Sequence, residues 1–165
     1  MTRRLVGWLG FAALGAVVAG FVGLGGAGGW LYWNRVESRG EQTARAELAA
    51  LAAEEIPKVL GYEYKTVERS LTETYPMFTS QYRREFEERV TKEIIPQARE
   101  KHLVNQVDIV GVGVLAAQRS TGSVLVFMNR TVTGKSKEKL YEGSRLRVDY
   151  QRVGDKWLIS DIAPI

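Results

Sequence analysis

The order of apolar and polar positions divides the chain into three parts. Residues 5–33 contain no charged side chain. From Gln42 to about residue 100, apolar residues recur every three or four positions, which is typical of amphipathic helices. After His102 the apolar period changes to two, which is typical of strands with one buried face. The pattern therefore predicts an apolar span, then helices, then a β-sheet.

The first predicted helix is rich in alanine and runs from Gln42 to about Glu55. Pro57 or Gly61 is expected to end it. The alanines favour close packing against another element, or a stalk that continues from the span. The apolar stripe consists of Ala44, Leu48, Leu51 and Ala52, which Ile56 extends.

Two further helices are predicted. Thr66 is the expected N-cap of a short helix, and Thr79 or Ser80 that of a longer one. Pro76 separates them, and Pro96 is expected to break or kink the longer helix. The apolar faces consist of Val67 and Leu71 in the short helix and of Tyr82, Phe86 and Val90 in the longer one. The charged residues between them are expected to form a solvated face.

Four strands are predicted in the last third of the chain, at 107–114, 123–133, 145–153 and 156–162. Turn signals separate them at residues 120–122, 134–135 and 154–155. Short turns favour an antiparallel meander with one face packed on the helices. Three helices followed by such a curved four-stranded sheet is the order of the NTF2-like (cystatin-like) α+β cone. That fold hosts enzymes, binding modules and scaffolds alike.

The uncharged segment 5–33 is long enough to cross a bilayer, since a membrane helix needs roughly 20 apolar residues. Aromatic side chains stand near both ends, as in the aromatic belts of membrane helices. The predicted interface anchors are Trp8 at one end and Trp30, Tyr32 and Trp33 at the other. A cleavable signal peptide is the alternative, but its apolar region is usually about 7–15 residues long.

The charges beside the span predict its orientation. Arg3 and Arg4 precede it without a neighbouring acid, whereas basic and acidic residues alternate beyond it. Because positive charge stays in the cytoplasm, we expect a single-pass cell-membrane protein with a cytoplasmic N-terminus and an external C-terminal domain. The expected divisions are a cytoplasmic tail (1–4), the transmembrane helix (5–33), a helical stalk or first helix (34–57) and the remainder of the domain (58–165).

Small residues recur every four positions within the span, at Gly15, Ala19, Gly23 and Ala27. Such a stripe lets a second transmembrane helix approach closely, which predicts helix packing at these positions. The alternative is that glycine and alanine are simply common in membrane helices.

Composition narrows the possible chemistry. The 165 residues include no cysteine and a single histidine, His102. Disulfides, cysteine-based metal sites and thiol catalysis are therefore excluded. We expect His102 to be a surface or helix-end residue, and we expect no metal, no cofactor and no enzymatic activity. The net charge of +4 includes Arg3 and Arg4, so the remaining surface is nearly balanced, which argues against nucleic-acid binding.

Several side chains are candidates for a site. An apolar cavity suited to a lipid or sterol would be lined by tyrosines, with aromatic core packing as the alternative. These residues are Tyr62, Tyr64, Tyr75 and Tyr82. An enzyme of the NTF2-like fold would place an acid or base in its cavity, and Asn129, Arg130 and Asp149 are polar strand residues. Asp149, however, is expected to face solvent and pair with Arg147 or a cross-strand partner. The basic segment 135–139 is either a contact for anionic lipid or a partner, or a solvated loop.

Four segments follow the span and the Ala-rich helix in a characteristic order. They are LGYEYKTV at 60–67, FTSQYRREF at 78–86, RLRV at 145–148 and VGDKWLISDI at 153–162. In this combination the chain resembles, over nearly its whole length, the Mce-associated membrane proteins (Mam proteins) of mycobacteria and related actinobacteria.

The resemblance implies a single-pass, non-catalytic accessory that stabilises or assembles an Mce-type lipid import transporter. Its implied partners are Mce transporter subunits or other membrane-complex components, together with membrane lipid. The family has no catalytic residues to carry over. Two alternatives stay open: an NTF2-like scaffold of a type IV or conjugative secretion apparatus, which has the same layout, and a lipid-binding cavity module.

Overall fold

The computed structural model describes residues 42–165, all of which belong to one compact unit. The predicted span, its aromatic anchors and its small-residue stripe lie outside the described residues and stay predictions. Among the helices of residues 42–165, none is both long and apolar enough to cross a membrane.

Helices come first along the described chain. Helix α1 occupies residues 42–60, α2 Val67–Thr72, α3 Ser80–Arg89 and α4 Ile95–Lys101. A short strand, β1 (Tyr62–Glu63), lies between α1 and α2. A 3-10 turn at Tyr75–Met77 contains the break expected at Pro76. A π-helical turn, Val90–Ile94, joins α3 to α4.

The remaining strands are long and consecutive: β2 (Val104–Ala117), β3 (Thr121–Thr133), β4 (Lys139–Val153) and β5 (Lys156–Pro164). They pair antiparallel in the order β1-β2-β3-β4-β5. The predicted helices-then-meander α+β layout is confirmed. The expected number of four strands is wrong by one, because β1 has two residues and is too short to show a period. Strand β4 also begins at Lys139, six residues before the expected start, because it pairs with β3 along its full length.

One face of the sheet, here called the inner face, packs on the helices. The buried apolar side chains of the strands are Val107, Ala117, Val124, Val126, Met128, Leu146, Val148, Tyr150, Trp157 and Ile159. They include the inward positions predicted for β4 and β5, so the period-two assignment is confirmed there. The helical stripes are confirmed as well, because Leu48, Ile56 and Val90 are fully buried.

Helix α1 continues past Pro57 and ends at Gly61, where the Gly61 amide donates to the Pro57 carbonyl at 2.8 Å. A β-carbon at Gly61 would lie 2.5 Å from that oxygen, so only glycine fits without a backbone shift. Proline removes one helical hydrogen bond but does not stop α1 at this position.

The two expected N-caps behave differently. Thr79 precedes α3 and its hydroxyl accepts a hydrogen bond from the Tyr82 amide at 3.4 Å, as predicted. Thr66 precedes α2 but makes no side-chain capping bond. Thr66 thus occupies the expected N-cap position. Its hydroxyl accepts from the Ser70 hydroxyl at 3.3 Å and caps no backbone amide.

Candidate functional site

The inner face of the sheet is occupied by α1. Leu48 packs so closely on β3 that a β-carbon at Gly122 would lie 2.2 Å from Leu48 Cδ1. Trp157 of β5 donates its indole N–H to Glu47 Oε2 at 3.1 Å. Glycine on the strand and alanines on the helix thus let α1 lie directly against β3 and β5.

A second polar contact between α1 and the sheet is buried. The Tyr150 hydroxyl donates to Glu55 Oε2 at 3.3 Å, and both side chains are nearly inaccessible to solvent. Burial raises the pKa of Glu55 to about 7, while the hydrogen bond from Tyr150 acts in the opposite direction. Burial and the Glu55 charge raise the pKa of Tyr150. The pair holds α1 on the sheet at the expense of burying a carboxyl group.

The four candidate tyrosines fall into two pairs. Tyr75 and Tyr82 are buried beside Phe78 and Phe86, with Tyr82 5.4 Å from Phe78 between ring centroids. Burial raises the pKa of Tyr82. Tyr62 lies on β1, and Tyr64 stacks on the His102 ring, outside this cluster. Among the described residues no ring contact joins the two pairs.

His102 ends α4 in the left-handed conformation, with φ of 51°. Its ring stacks on Tyr64, with centroids 4.6 Å apart and planes 10° apart. This placement agrees with the helix-end position expected for the histidine. Within residues 42–165 no group of three or more His, Asp or Glu side chains is arranged to hold a metal ion.

The basic segment 135–139 connects β3 to β4 at the end of the sheet remote from Gly122 and Leu48. The Lys135 amide donates to the Lys101 carbonyl at 3.1 Å, which ties the loop to the end of α4. Leu140 and Tyr141, which follow the loop, are 65% and 71% exposed. The tip is therefore both basic and apolar at its surface.

The opposite face of the sheet, here called the outer face, carries a polar network. Ser123 donates to Asp149 Oδ1 at 2.6 Å, and Arg147 Nε lies 3.2 Å from Asp149 Oδ2. Arg147 also reaches Asp161 at 3.6 Å. Asp149 thus faces outward and pairs with Arg147, as predicted. Asn129, paired opposite Gly143, shares this face, whereas Arg130 pairs with Glu142.

Apolar side chains lie beside this network. Phe127 is 40% exposed and pairs opposite Gly111, and Leu125 pairs opposite Gly113. Beyond the neighbouring residues, no atom lies within 4 Å of the β-carbon position of either glycine. The two apolar side chains therefore lie beside an uncovered stretch of the β2 backbone. Sequence reasoning missed this surface. Its signal was two glycines inside a strand pattern, which often mark a close approach of another backbone.

No protein-family model matches the chain. A Mycobacterium tuberculosis (strain H37Rv) protein named an outer membrane protein is 25% identical over 137 residues. The match covers 83% of this chain and 86% of that protein.

Two solved structures share the fold. An IcmL-like type IV secretion system protein of Legionella pneumophila matches with a TM-score of 0.62 and 10% identity, over 73% of this chain and 93% of that one. CagV of Helicobacter pylori, a VirB8 homologue of a type IV secretion system, matches with a TM-score of 0.57 and 12% identity, over 72% and 96%. The described domain therefore shares the α+β fold of these two structures. Membership of the Mce-associated family stays a prediction.

Proposed function

We propose that this chain is a non-catalytic assembly component of a multi-protein complex in the cell envelope. The observation that carries the proposal is the fold, which matches more than nine-tenths of two type IV secretion proteins. The mycobacterial relative named an outer membrane protein supports a place in the envelope. The external domain would act by contacting other subunits while the predicted span 5–33 holds it at the membrane.

The arrangement of the domain favours a role in contacts with other proteins and argues against the binding of a ligand inside the domain. Helix α1 fills the inner face through Leu48, Glu47 and Glu55. The exposed apolar side chains lie on the outer face, at the tip of the β3–β4 loop and along β2. We assign subunit contacts to the outer face around Phe127, where apolar and charged groups alternate.

Two complexes are candidates. The fold likeness favours a secretion-type apparatus, in which this domain would be a scaffold. The four segments that resemble those of Mce-associated proteins, together with a relative from Mycobacterium tuberculosis, favour an accessory of an Mce-type lipid importer.

Affinity purification of the tagged full chain from its native membranes, followed by mass spectrometry, tests the proposal. Mce permease subunits together with reduced lipid uptake in a deletion strain would identify the importer. Secretion ATPases or channel subunits would identify the secretion apparatus. Recovery of neither group, with unchanged lipid uptake and secretion in the deletion strain, contradicts the proposal.

The variant Phe127→Asp locates the contact. We expect it to reduce recovery of partner subunits at least several-fold, because a carboxylate replaces the exposed ring on the outer face. Leu140→Asp is the matched control, because it also replaces an exposed apolar side chain with a carboxylate. Leu140 lies at the start of β4, next to the β3–β4 loop. Equal recovery with both variants would show that the outer face is not the contact surface.

A further inference from the structure

Strand β2 has a long unpaired edge. It pairs with β1 through Val104 and Asn105 and with β3 along its other side. The backbone groups of a strand point alternately to its two neighbours, so every second residue beyond Asn105 points its N–H and C=O toward the side that β1 no longer covers. In the described part of the chain no backbone group pairs with this edge from Gln106 to Ala117. Such an edge is a template for another strand.

The opposite edge of the sheet is covered. The Thr79 amide donates to the Ile159 carbonyl of β5 at 2.9 Å, and Phe78 forms a bridge with the same residue. The segment that leads into α3 therefore lies along β5. Among the described residues, the β5 edge is thus occupied at Ile159, whereas the β2 edge is open from Gln106 to Ala117.

The β2 edge lacks the charges that usually protect such strands. Residues 109–118 contain none, and proline is absent as well. Val110 and Leu115 are 66% and 53% exposed, at the two bulges that border Gly111–Val114. Between the two bulges, a second strand can pair regularly with this four-residue segment. The valines of the segment favour the strand conformation.

Opposite charges flank the uncharged stretch. Asp108 precedes it and Arg119 follows it, and both side chains are exposed. Neither forms an ion pair with another of the described residues. When a strand pairs antiparallel with a copy of itself about a two-fold axis, the start of each strand meets the end of the other. Asp108 of each copy then lies near Arg119 of its partner.

We propose that the β2 edge binds the β2 edge of a second copy of this chain, which joins two five-stranded sheets into one. The two-fold axis passes near Gly113, where a side chain would meet no other atom of its own chain. Val112 of one copy lies beside Val114 of the other. Because a two-fold contact uses the same edge of both copies, the assembly closes as a dimer. The inference does not depend on the identity of the larger complex.

Cysteine cross-linking tests the pairing, because the natural chain contains no cysteine. The full chain carrying Gly113→Cys is purified in mild detergent, oxidised and resolved without reductant. We expect a disulfide-linked dimer to form at least tenfold faster than with Val153→Cys. Val153 is a matched control because, like Gly113, it is an exposed strand residue, but it lies at the end of β4. Equal rates at the two positions overturn the proposal.

Charge reversal provides a second readout that does not rely on an engineered thiol. Asp108→Arg and Arg119→Asp each place like charges together across the axis, so either alone should weaken the dimer about tenfold or more by light scattering. The double variant restores opposite charges and should restore the dimer. A dimer that persists unchanged in both single variants, or a full chain that is monomeric at all concentrations, overturns the proposal. Persistence would place the contact away from the β2 edge.

Discussion

At the scale of single residues, Glu55 is a carboxyl group whose burial makes the stability of the domain depend on pH. Its pKa in the folded protein, about 7, lies above the ordinary value of 4.5. The folded protein therefore retains a proton that the unfolded chain releases between those two pH values. The contribution of Glu55 to the free energy of unfolding is therefore highest below the lower value, declines as the pH rises to about 7, and then levels off.

We predict that Glu55→Gln stabilises the folded chain at pH 8 by on the order of 1 kcal/mol, because it removes a buried ionised carboxylate. The amide oxygen still accepts the hydrogen bond from Tyr150. The gain should shrink toward pH 4.5, as measured by denaturant unfolding of the full chain in mild detergent. Glu54→Gln is the control, since Glu54 is exposed and paired with Lys58. A pH-independent effect of Glu55→Gln would contradict the assignment.

The two N-cap threonines allow a matched comparison. Thr79→Ala should destabilise the protein by about 0.5–1 kcal/mol, because the Tyr82 amide loses its side-chain acceptor. Thr66→Ala should change the stability by less than about 0.5 kcal/mol, because Thr66 caps no backbone amide. Denaturant midpoints of the two variants check this order. A larger effect at Thr66 would show that its hydroxyl caps α2 in solution.

At the scale of elements, the contact between α1 and β3 depends on the absence of a side chain at position 122. We predict that Gly122→Val destabilises the protein by about 1–3 kcal/mol, because the new side chain overlaps Leu48. Gly111→Val is the matched control on β2, where an added β-carbon lies more than 4 Å from every atom beyond the two neighbouring residues. It should be neutral or stabilising within about 1 kcal/mol, because valine favours strands. Equal losses in thermal unfolding would mean that the backbone, and not the overlap, is responsible.

The helical segment from α3 to α4 keeps its buried residues on one face, although a π-helical turn lies within it. Its buried positions Tyr82, Phe86 and Val90 are four apart, and the fully buried Ala98 continues the same spacing. In a regular helix this spacing drifts by about 40° at each step, because there are about 3.6 residues per turn. The wider π-helical turn at Val90–Ile94 reduces the drift. The regular α-helix is interrupted at this turn, and Pro96 lies in the first turn of α4, where a missing backbone N–H is tolerated.

At the scale of the whole molecule, the central strands should be the most stable part of the domain. Strand β3 pairs on both sides along nearly its full length, and β4 pairs with β3 and β5. We predict that the amides of β3 exchange with solvent at least tenfold more slowly than those of α2, which has six residues. Hydrogen-exchange mass spectrometry measures both segments in one experiment. Similar rates would indicate that the unit opens only as a whole.

The sequence by itself determined the elements and their faces. The stripe of α1, the apolar face of α3 and the inward residues Leu146, Val148 and Tyr150 follow from local backbone periods, which depend on neighbouring residues alone. The α+β class follows from the order of those periods. The predicted span and its orientation also depend on local composition and charge, and they lie outside the described residues.

Only the tertiary structure decided which groups meet. Glu55 and Tyr150 are 95 positions apart, and Glu47 and Trp157 are 110 apart, so no local pattern connects them. The two-residue strand β1 exists because β2 pairs with it, and the covered β5 edge exists because the turn before α3 lies beside it. The same long-range packing leaves the β2 edge open. Periodicity reports which side of a strand is apolar, but only the arrangement of the other elements decides whether its edge has a partner.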